Sequence, residues 1–260
     1  MIDIHAHILP ALDDGARSLE EALKMGRLAQ SDGIREMIVT PHATELGQFA
    51  NPRSEAEARL EALREALSEH DIELPLYLGA EVNLVHNLPS LLDEGRLFPL
   101  HAGPYVLIHW ENQPVFTEEL IFSLQVDGYV PIIAHPERSP AVERNTDLLA
   151  SLVARGALTQ VTALSVTGGF GPRVKALTEQ LLRRRLVHFI ATDTHSIEPG
   201  RRAPLLAEAV EVAARIVGQE EAEAMVIARP AAVLAGESVS VDAPLPPHVG
   251  RSFWPFARSR

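Results

Sequence analysis

Imidazole and carboxylate side chains recur along this chain, most of them at the ends of short apolar, β-branched runs. His5 and His7 stand in MIDIHAHILP, Asp13 and Asp14 in ALDDGA, His42 in IVTPHAT and Glu81 in YLGAEVN. His109 follows in YVLIHW, His135 in IIAHPER, and Asp193 with His195 in IATDTH. Both side-chain types bind divalent cations. If the runs are buried parallel strands, their ends emerge at one rim and these groups meet there. A site for several cations is the arrangement of an enzyme. The chain has no cysteine, which excludes thiolate nucleophiles, Fe–S clusters and disulfides.

Single motifs carry less weight than the set. Alternate residues of a strand share a face, so His5 and His7 point the same way and could serve one cation. Asp193 and His195 repeat that spacing near the other end of the chain. Asp13-Asp14-Gly15 also suits an Asx turn or a helix lead-in. Glu81 closes an apolar strand, where a lone carboxylate is costly unless paired or metal-bound. His42, His109 and His135 could each be a hydrogen-bonded core histidine, but the same placement in all three favours ligands.

The elements that must position these groups alternate in type. Seven apolar runs read as strands, at 2–5, 36–40, 75–81, 105–110, 129–135, 158–164 and 187–193. Ser18 and Glu21 form a capping box opening a helix toward Gln30, with Gly33 as its stop. Asn51-Pro52 supplies an N-cap and an N1 proline for a helix reaching about Ser68. Further helices are expected at 88–94, 117–126, 143–155, 173–185, 203–217 and 219–228. Such alternation gives an α/β fold with parallel strands and right-handed crossovers. Polar residues spread over runs one to five and seven favour a closed (β/α) barrel, whose ligands come from many strand ends. An open sheet concentrates its site at one switch point.

Bulk properties narrow the partners. The 260 residues are 46% apolar and 22% charged, with a formal net charge of −12, which suits one large α/β domain. That charge disfavours duplex DNA, which is bound by arrays of Lys and Arg. No apolar stretch is long enough to cross a bilayer. No basic segment precedes an apolar one at the start, so the expected compartment is the cytoplasm. Residues 1–237 are expected to form the domain and 238–260 a Pro-rich C-terminal tail. That tail is expected to be either disordered or loosely docked, or else an arm toward a neighbouring subunit of a homo-oligomer, through Phe253, Trp254 and Phe256.

The ordered set His-x-His, Asp, His, Glu, His, His, Asp-x-His resembles the polymerase and histidinol phosphatase (PHP) superfamily of metal-dependent phosphoesterases. More closely, MIDIHAHILPALDDGARSLEEA, TPH, GAE, AHPER, QVTALSVTGGFG and ATDTHS resemble the bacterial tyrosine-protein phosphatases of capsule and exopolysaccharide loci. The likeness covers about residues 1–235 and implies a distorted, TIM-like (β/α)7 barrel. It implies three divalent ions (Mn, Fe or Zn, with Mn favoured). His5, His7, Glu81 and Asp193 would hold the first ion. Glu81 would bridge to a second completed by His109 and His135, and Asp14, His42 and His195 would hold the third. The closest relatives tend to carry Glu where this chain has His109.

The implied chemistry is hydrolysis of a phosphate monoester by water activated on the metals. Arg138 is placed to fork onto the substrate phosphate, unless it pairs with Glu137. Arg202 is favoured over Arg201 for a similar role. His109 is a candidate proton source for the leaving group. Ser165, Gly168, Gly169 and Gly171 could offer backbone amides to the substrate. His70, His86, His101, His188 and His248 match no ligand position. The implied partner is a phosphotyrosine protein, above all the tyrosine kinase of a bacterial polysaccharide-assembly system. Alternatives are a small-metabolite phosphatase, such as one acting on histidinol phosphate, and a non-catalytic metal-binding regulator.

Overall fold

The apolar runs fold as strands and the Glu/Ala/Leu/Arg-rich segments between them as helices. A computed structural model describes residues 1–45, 47, 50–101, 103–110, 117–198 and 200–246. The first half runs β1 (Ile2–Ala6), α1 (Leu19–Ser31), β2 (Glu36–Val39), β3 (His42–Ala43), α2 (Arg53–Glu69), β4 (Leu76–Leu78), β5 (Glu81–Asn83), α3 (Leu88–Asp93) and β6 (Tyr105–His109). The second half runs α4 (Thr117–Val126), β7 (Val130–Ala134), a 3-10 turn (Pro136–Arg138), α5 (Pro140–Arg144), α6 (Asp147–Ala154), β8 (Leu158–Thr162), α7 (Ala163–Thr167), α8 (Pro172–Arg183) and β9 (Phe189–Ala191). Three helices close it: α9 (Ala207–Val217), α10 (Gln219–Ala224) and α11 (Ala228–Ala235).

Among the described residues every strand pairing is parallel, in two sheets of order β1-β2-β4 and β3-β5-β6-β7-β8-β9. The single seven-stranded barrel expected from the sequence is not delineated as a closed sheet. A short strand, β3, follows the expected run at 36–40, and the run at 75–81 is cut in two. Pro41, which has no N–H to give to a ladder, separates β2 from β3. Gly79 and Ala80 separate β4 from β5. A Cβ at Gly79 would lie 2.8 Å from Leu100 Cδ2 and 2.9 Å from Ile38 Cγ2, so any larger residue would have to displace both side chains. The outer strand β1 meets the segment after β9 through an Ala6–Thr194 bridge. Asp193 N donates to His5 O at 2.8 Å, and His7 N to Thr194 O at 3.0 Å.

Strand β1 carries an irregularity that matters for the site. Its register on β2 shifts between Asp3, opposite Met37, and Ala6, opposite Val39. Ile2 and Ile4 pack with Tyr105, Leu107, Ile132, Leu158 and Phe189 on one face of the strands. Ala6 and Ile8 join the larger cluster beneath the helices. The extra residue therefore swings the side chains that follow Ile4, including His5 and His7, onto the inner face.

Several boundaries moved. Ser18 accepts from Glu21 N as expected, but the Glu21 carboxylate takes Arg17 N and Nε instead of closing the box. Pro52, not Asn51, caps α2, because the Asn51 amide is spent on Leu12 O and His42 O. The helix expected over 143–155 breaks at the extended Asn145 into α5 and α6. The run at 158–164 turns helical after Thr162. The described part of the tail lies on the body: Tyr105 Oη accepts from Val239 N, Leu245 N donates to Arg184 O, and Arg185 pairs with Asp242. His248, Phe253, Trp254 and Phe256 lie outside the described residues. No helix among the described residues is long and apolar enough to cross a membrane.

His188 precedes β9, buried, its Nδ1 accepting from Thr159 N at 3.0 Å. Burial and then the Arg229 charge push this imidazole down from 6.5 to about 3. Above pH 6.5 neither folded nor unfolded chain protonates it. As pH falls from 6.5 toward 3 only the unfolded chain takes the proton, so stability is lost. The slope is at most about 1.4 kcal/mol per pH unit. His188→Gln keeps the acceptor without the titration. Urea unfolding of both proteins should show the variant gaining on wild type between pH 6.5 and 4, and parallel curves exclude this role.

Candidate metal centre

The inner face converges at the carboxyl ends of the strands. His5 lies in β1 and His7 directly follows it, His42 opens β3 and Glu81 opens β5 directly opposite it in register. His109 closes β6, His135 follows β7, and Asp193 and His195 follow β9. Asp14 arrives from the loop after β1, where Gly15 lies so close that a Cβ there would overlap the His7 carbonyl oxygen.

At the deepest point the His5 and His7 Nε2 atoms are 3.0 Å apart. Glu81 Oε2 is 3.4 Å from each, and Asp193 Oδ1 is 3.5 Å and 3.7 Å away. Glu81 Oε1 lies 2.8 Å from both His109 Nδ1 and His135 Nε2, while its Oε2 is 3.0 Å from His42 Nδ1. Asp14 Oδ1 stands 3.4 Å from His42 Nε2 and 3.2 Å from His195 Nε2. All nine residues proposed as ligands from the sequence thus meet in one cluster, with Glu81 at its hub. The grouping is less partitioned than expected. His7 also falls with Asp14, His42 and His195, and His42 also falls with Glu81 and His109.

The donor set tests whether cations fit. His7 Nδ1 faces Asp13 Oδ2 at 2.7 Å, and His5 Nδ1 faces Gln160 Oε1 at 2.8 Å. Carboxylate and amide oxygens only accept, so both Nδ1 atoms donate, and in the neutral rings both Nε2 atoms present lone pairs. Two such lone pairs and two carboxylate oxygens converge in a buried space, which demands a cation or a proton among them. Burial would lower the His7 imidazole, but Asp13 and Glu81 outweigh it and push it up to about 10. Burial would likewise raise the Glu81 carboxyl, yet His5, His109 and His135 hold it well below the usual range. His135 is driven down to about 3 by burial and by Arg138. Its neutral ring is the form that binds metal.

Arg138 and Arg202 close on the same carboxylate. Arg138 Nη2 is 2.9 Å from Asp193 Oδ2, and Arg202 Nη1 is 3.0 Å from Oδ1. Burial acts to raise Asp193, but His5 and the two arginines hold it far below the usual range. Glu137 is not the partner of Arg138; its carboxylate accepts from Thr162 N and Ser165 Oγ. Arg201 pairs outward with Glu198. His135, Asp193 and Arg202 have φ of 37°, 51° and 44°, left-handed backbone that ordinarily favours glycine. Such strain costs about 1–3 kcal/mol per residue and concentrates where function demands it.

The glycine turn does not offer its amides. Gly168 N and Gly169 N donate to Leu164 O, and Gly171 N to Gly168 O. Ser165 is buried in α7. What the turn does is place the Phe170 ring 5.5 Å from the Arg138 guanidinium. Two contributors have roles that the sequence reading did not assign. Asp13 forms the Asx turn through Gly15 N and also holds His7 and His42 N. Gln160 backs His5. A cavity of about 360 Å³ opens over the cluster, lined by His42, Glu81, His109, Asp193 and both arginines. A larger one of about 650 Å³ beside α2 and β4 has no histidine in its lining, so donors and not size identify the site.

The family model for capsular polysaccharide synthesis, CpsB/CapC, matches residues 1–235. Tyrosine-protein phosphatase YwqE of Bacillus subtilis (strain 168) is 38% identical over 200 residues, 76% of this chain and 78% of that protein. A putative tyrosine-protein phosphatase CapC of Staphylococcus aureus is 36% identical over 199 residues, 76% of this chain and 78% of its own length. A solved structure from work on YwqE of Bacillus subtilis and CpsB of Streptococcus pneumoniae, described there as unique metal-dependent tyrosine phosphatases, superposes with a TM-score of 0.88. It is 33% identical and covers 95% of this chain and 99% of its own.

Proposed function

Because the chain belongs to the CpsB/CapC family of capsular polysaccharide synthesis, we propose that it is a metal-dependent phosphatase that removes phosphate from protein tyrosines. The observation that carries this reading is the facing pair of His5 and His7 Nε2 atoms, ringed by Glu81 and Asp193. His5, His7, Glu81 and Asp193 would hold a first divalent ion. Glu81, His109 and His135 would hold a second, and Asp14, His42 and His195 a third, with manganese the favoured metal. The ordered ligand motifs support placement in the PHP superfamily. The Ala6–Thr194 bridge supports reading the two sheets as one distorted seven-stranded barrel, with residues 1–237 as its domain.

Bound divalent cations would lower the pKa of water and polarise the phosphoryl oxygens. The chain's own residues do the rest. Arg138 and Arg202 line the cavity with one edge on Asp193, leaving their other N–H groups to face equatorial phosphoryl oxygens. Phe170 and Asp193 hold Arg138 between them. The His109 Nδ1 is engaged with Glu81, which favours the ligand role over proton donation. A tyrosyl leaving group, with a pKa near ~10, needs little protonation. The substrate is read as the tyrosine kinase of a bacterial polysaccharide-assembly system, supported by the family's place in capsule synthesis.

Manganese-loaded protein assayed side by side should turn over phosphotyrosine peptides at least about tenfold faster in kcat/KM than histidinol phosphate, ~1.4 kcal/mol of discrimination. The opposite ranking makes it a small-metabolite phosphatase. Bound metal with no turnover of either makes it a non-catalytic regulator.

A further inference from the structure

Run six, now β8, is the one strand to which the motif pattern gave no ligand, yet its middle residue touches two of them. Gln160 is fully buried, in register between Ala134 of β7 and Phe189 of β9. Its side-chain Oε1 lies 2.8 Å from His5 Nδ1, and its backbone oxygen accepts from His135 N at 2.7 Å. We propose that Gln160 is a positioning residue that fixes the tautomer of His5 and the seat of His135, coupling the first and second metal positions. This rests on the metal-centre reading above.

The chemistry follows from what an amide oxygen can do. It accepts only, so it draws the His5 proton to Nδ1 and leaves the Nε2 lone pair toward His7, Glu81 and Asp193. The opposite tautomer would place an N–H at that point and repel a cation. The backbone contact acts on His135, whose left-handed φ of 37° needs an external hold. Gln160 Nε2 is buried with no hydrogen-bond partner, so the contact with His5 is the amide's one side-chain contact among the described residues. Gln160 also differs from its counterpart behind His7, which is the anionic Asp13. An anion behind an imidazole makes it more basic than an amide does, so the two rings serving one ion differ in donor strength. A neutral partner also adds no further negative charge to a site already holding Glu81, Asp193 and Asp13.

Two measurements test this, one of which needs no substitution. In zinc-loaded wild-type protein, nitrogen-15 NMR of the histidine rings should show His5 protonated at Nδ1 and coordinated through Nε2. The reverse assignment overturns the proposal. Gln160→Met removes the acceptor at nearly constant length. By chelator competition it should bind zinc or manganese about 10–100-fold more weakly, with kcat for p-nitrophenyl phosphate reduced and KM little changed. Gln160→Glu restores an acceptor oxygen and should recover most of the affinity. A folded Gln160→Met protein with wild-type affinity overturns this inference alone, whereas wild-type protein that binds no metal overturns the metal-centre reading with it. If Gln160→Met does not fold, the wild-type tautomer decides.

Discussion

His135→Ala and Asp193→Asn should each lower p-nitrophenyl phosphate hydrolysis by the manganese-loaded protein about 1,000-fold or more, ~4 kcal/mol of barrier, with circular dichroism unchanged. His135 offers Nε2 to the side of Glu81 that also meets His109, from a left-handed backbone with φ of 37°. Removing the ring opens the proposed second position to water and leaves Glu81 short of a partner. Asp193→Asn keeps the shape but deletes the charge on which His5, Arg138 and Arg202 converge. It therefore weakens a proposed ion and loosens both phosphate-facing arginines together. Because these contacts act as one unit, the double substitution should cost little more than either alone. Activity within tenfold of wild type in both single variants would sink the ligand assignment. Thermal unfolding run in parallel separates a lost site from a lost fold.

How these residues came to be visible in the sequence has a physical basis. Histidines and acids at strand ends are legible because apolar runs and polar termini differ in composition, and the fold gathers the ends. The same logic hid Gln160. A glutamine between threonine and valine reads as one polar position in a strand, and only the neighbours in register reveal what it faces. Asp13 was legible as a turn residue, and that half was right, but its second oxygen serves His7 across the loop. The breaks at Pro41 and Gly79 stood in TPH and LGAE. The run at 36–40 was read as ending just before Pro41, whereas Gly79 stood inside the run at 75–81, and glycine inside a strand pattern marks an interruption. The irregularity in β1 had no such signal, since Ile, His and Ala all suit a regular strand. It is set by pairing on β2 and by the bond from Asp193 N to His5 O, contacts far apart in sequence. The glycine turn shows the opposite error: composition suggested free amides, and the C-terminal end of α7 uses them locally, on Leu164 O and Gly168 O.

Stripping the protein with a chelator should abolish turnover, and manganese should restore it, with about three ions bound per chain at saturation. Stability should follow the same titration. An ion present at 100 times its Kd stabilises the folded chain by about 2.7 kcal/mol. Three independent ions would contribute roughly 8 kcal/mol, a rise in Tm of about 15 °C or more for a chain of this size. The metal-free cluster does not stay empty of positive charge. The pull of Asp13 and Glu81 on His7, pushed up to about 10, means that a proton takes the cation's place near neutrality. Metal binding must expel it, so calorimetry in buffers of different ionisation enthalpy should record proton release, and affinity should fall as pH drops. One ion per chain, with the same release, would confine the centre to His5, His7, Glu81 and Asp193. Unchanged Tm and unchanged activity after chelation would show that the converging imidazoles are neutralised by protons alone, and would overturn the metal dependence of the reaction.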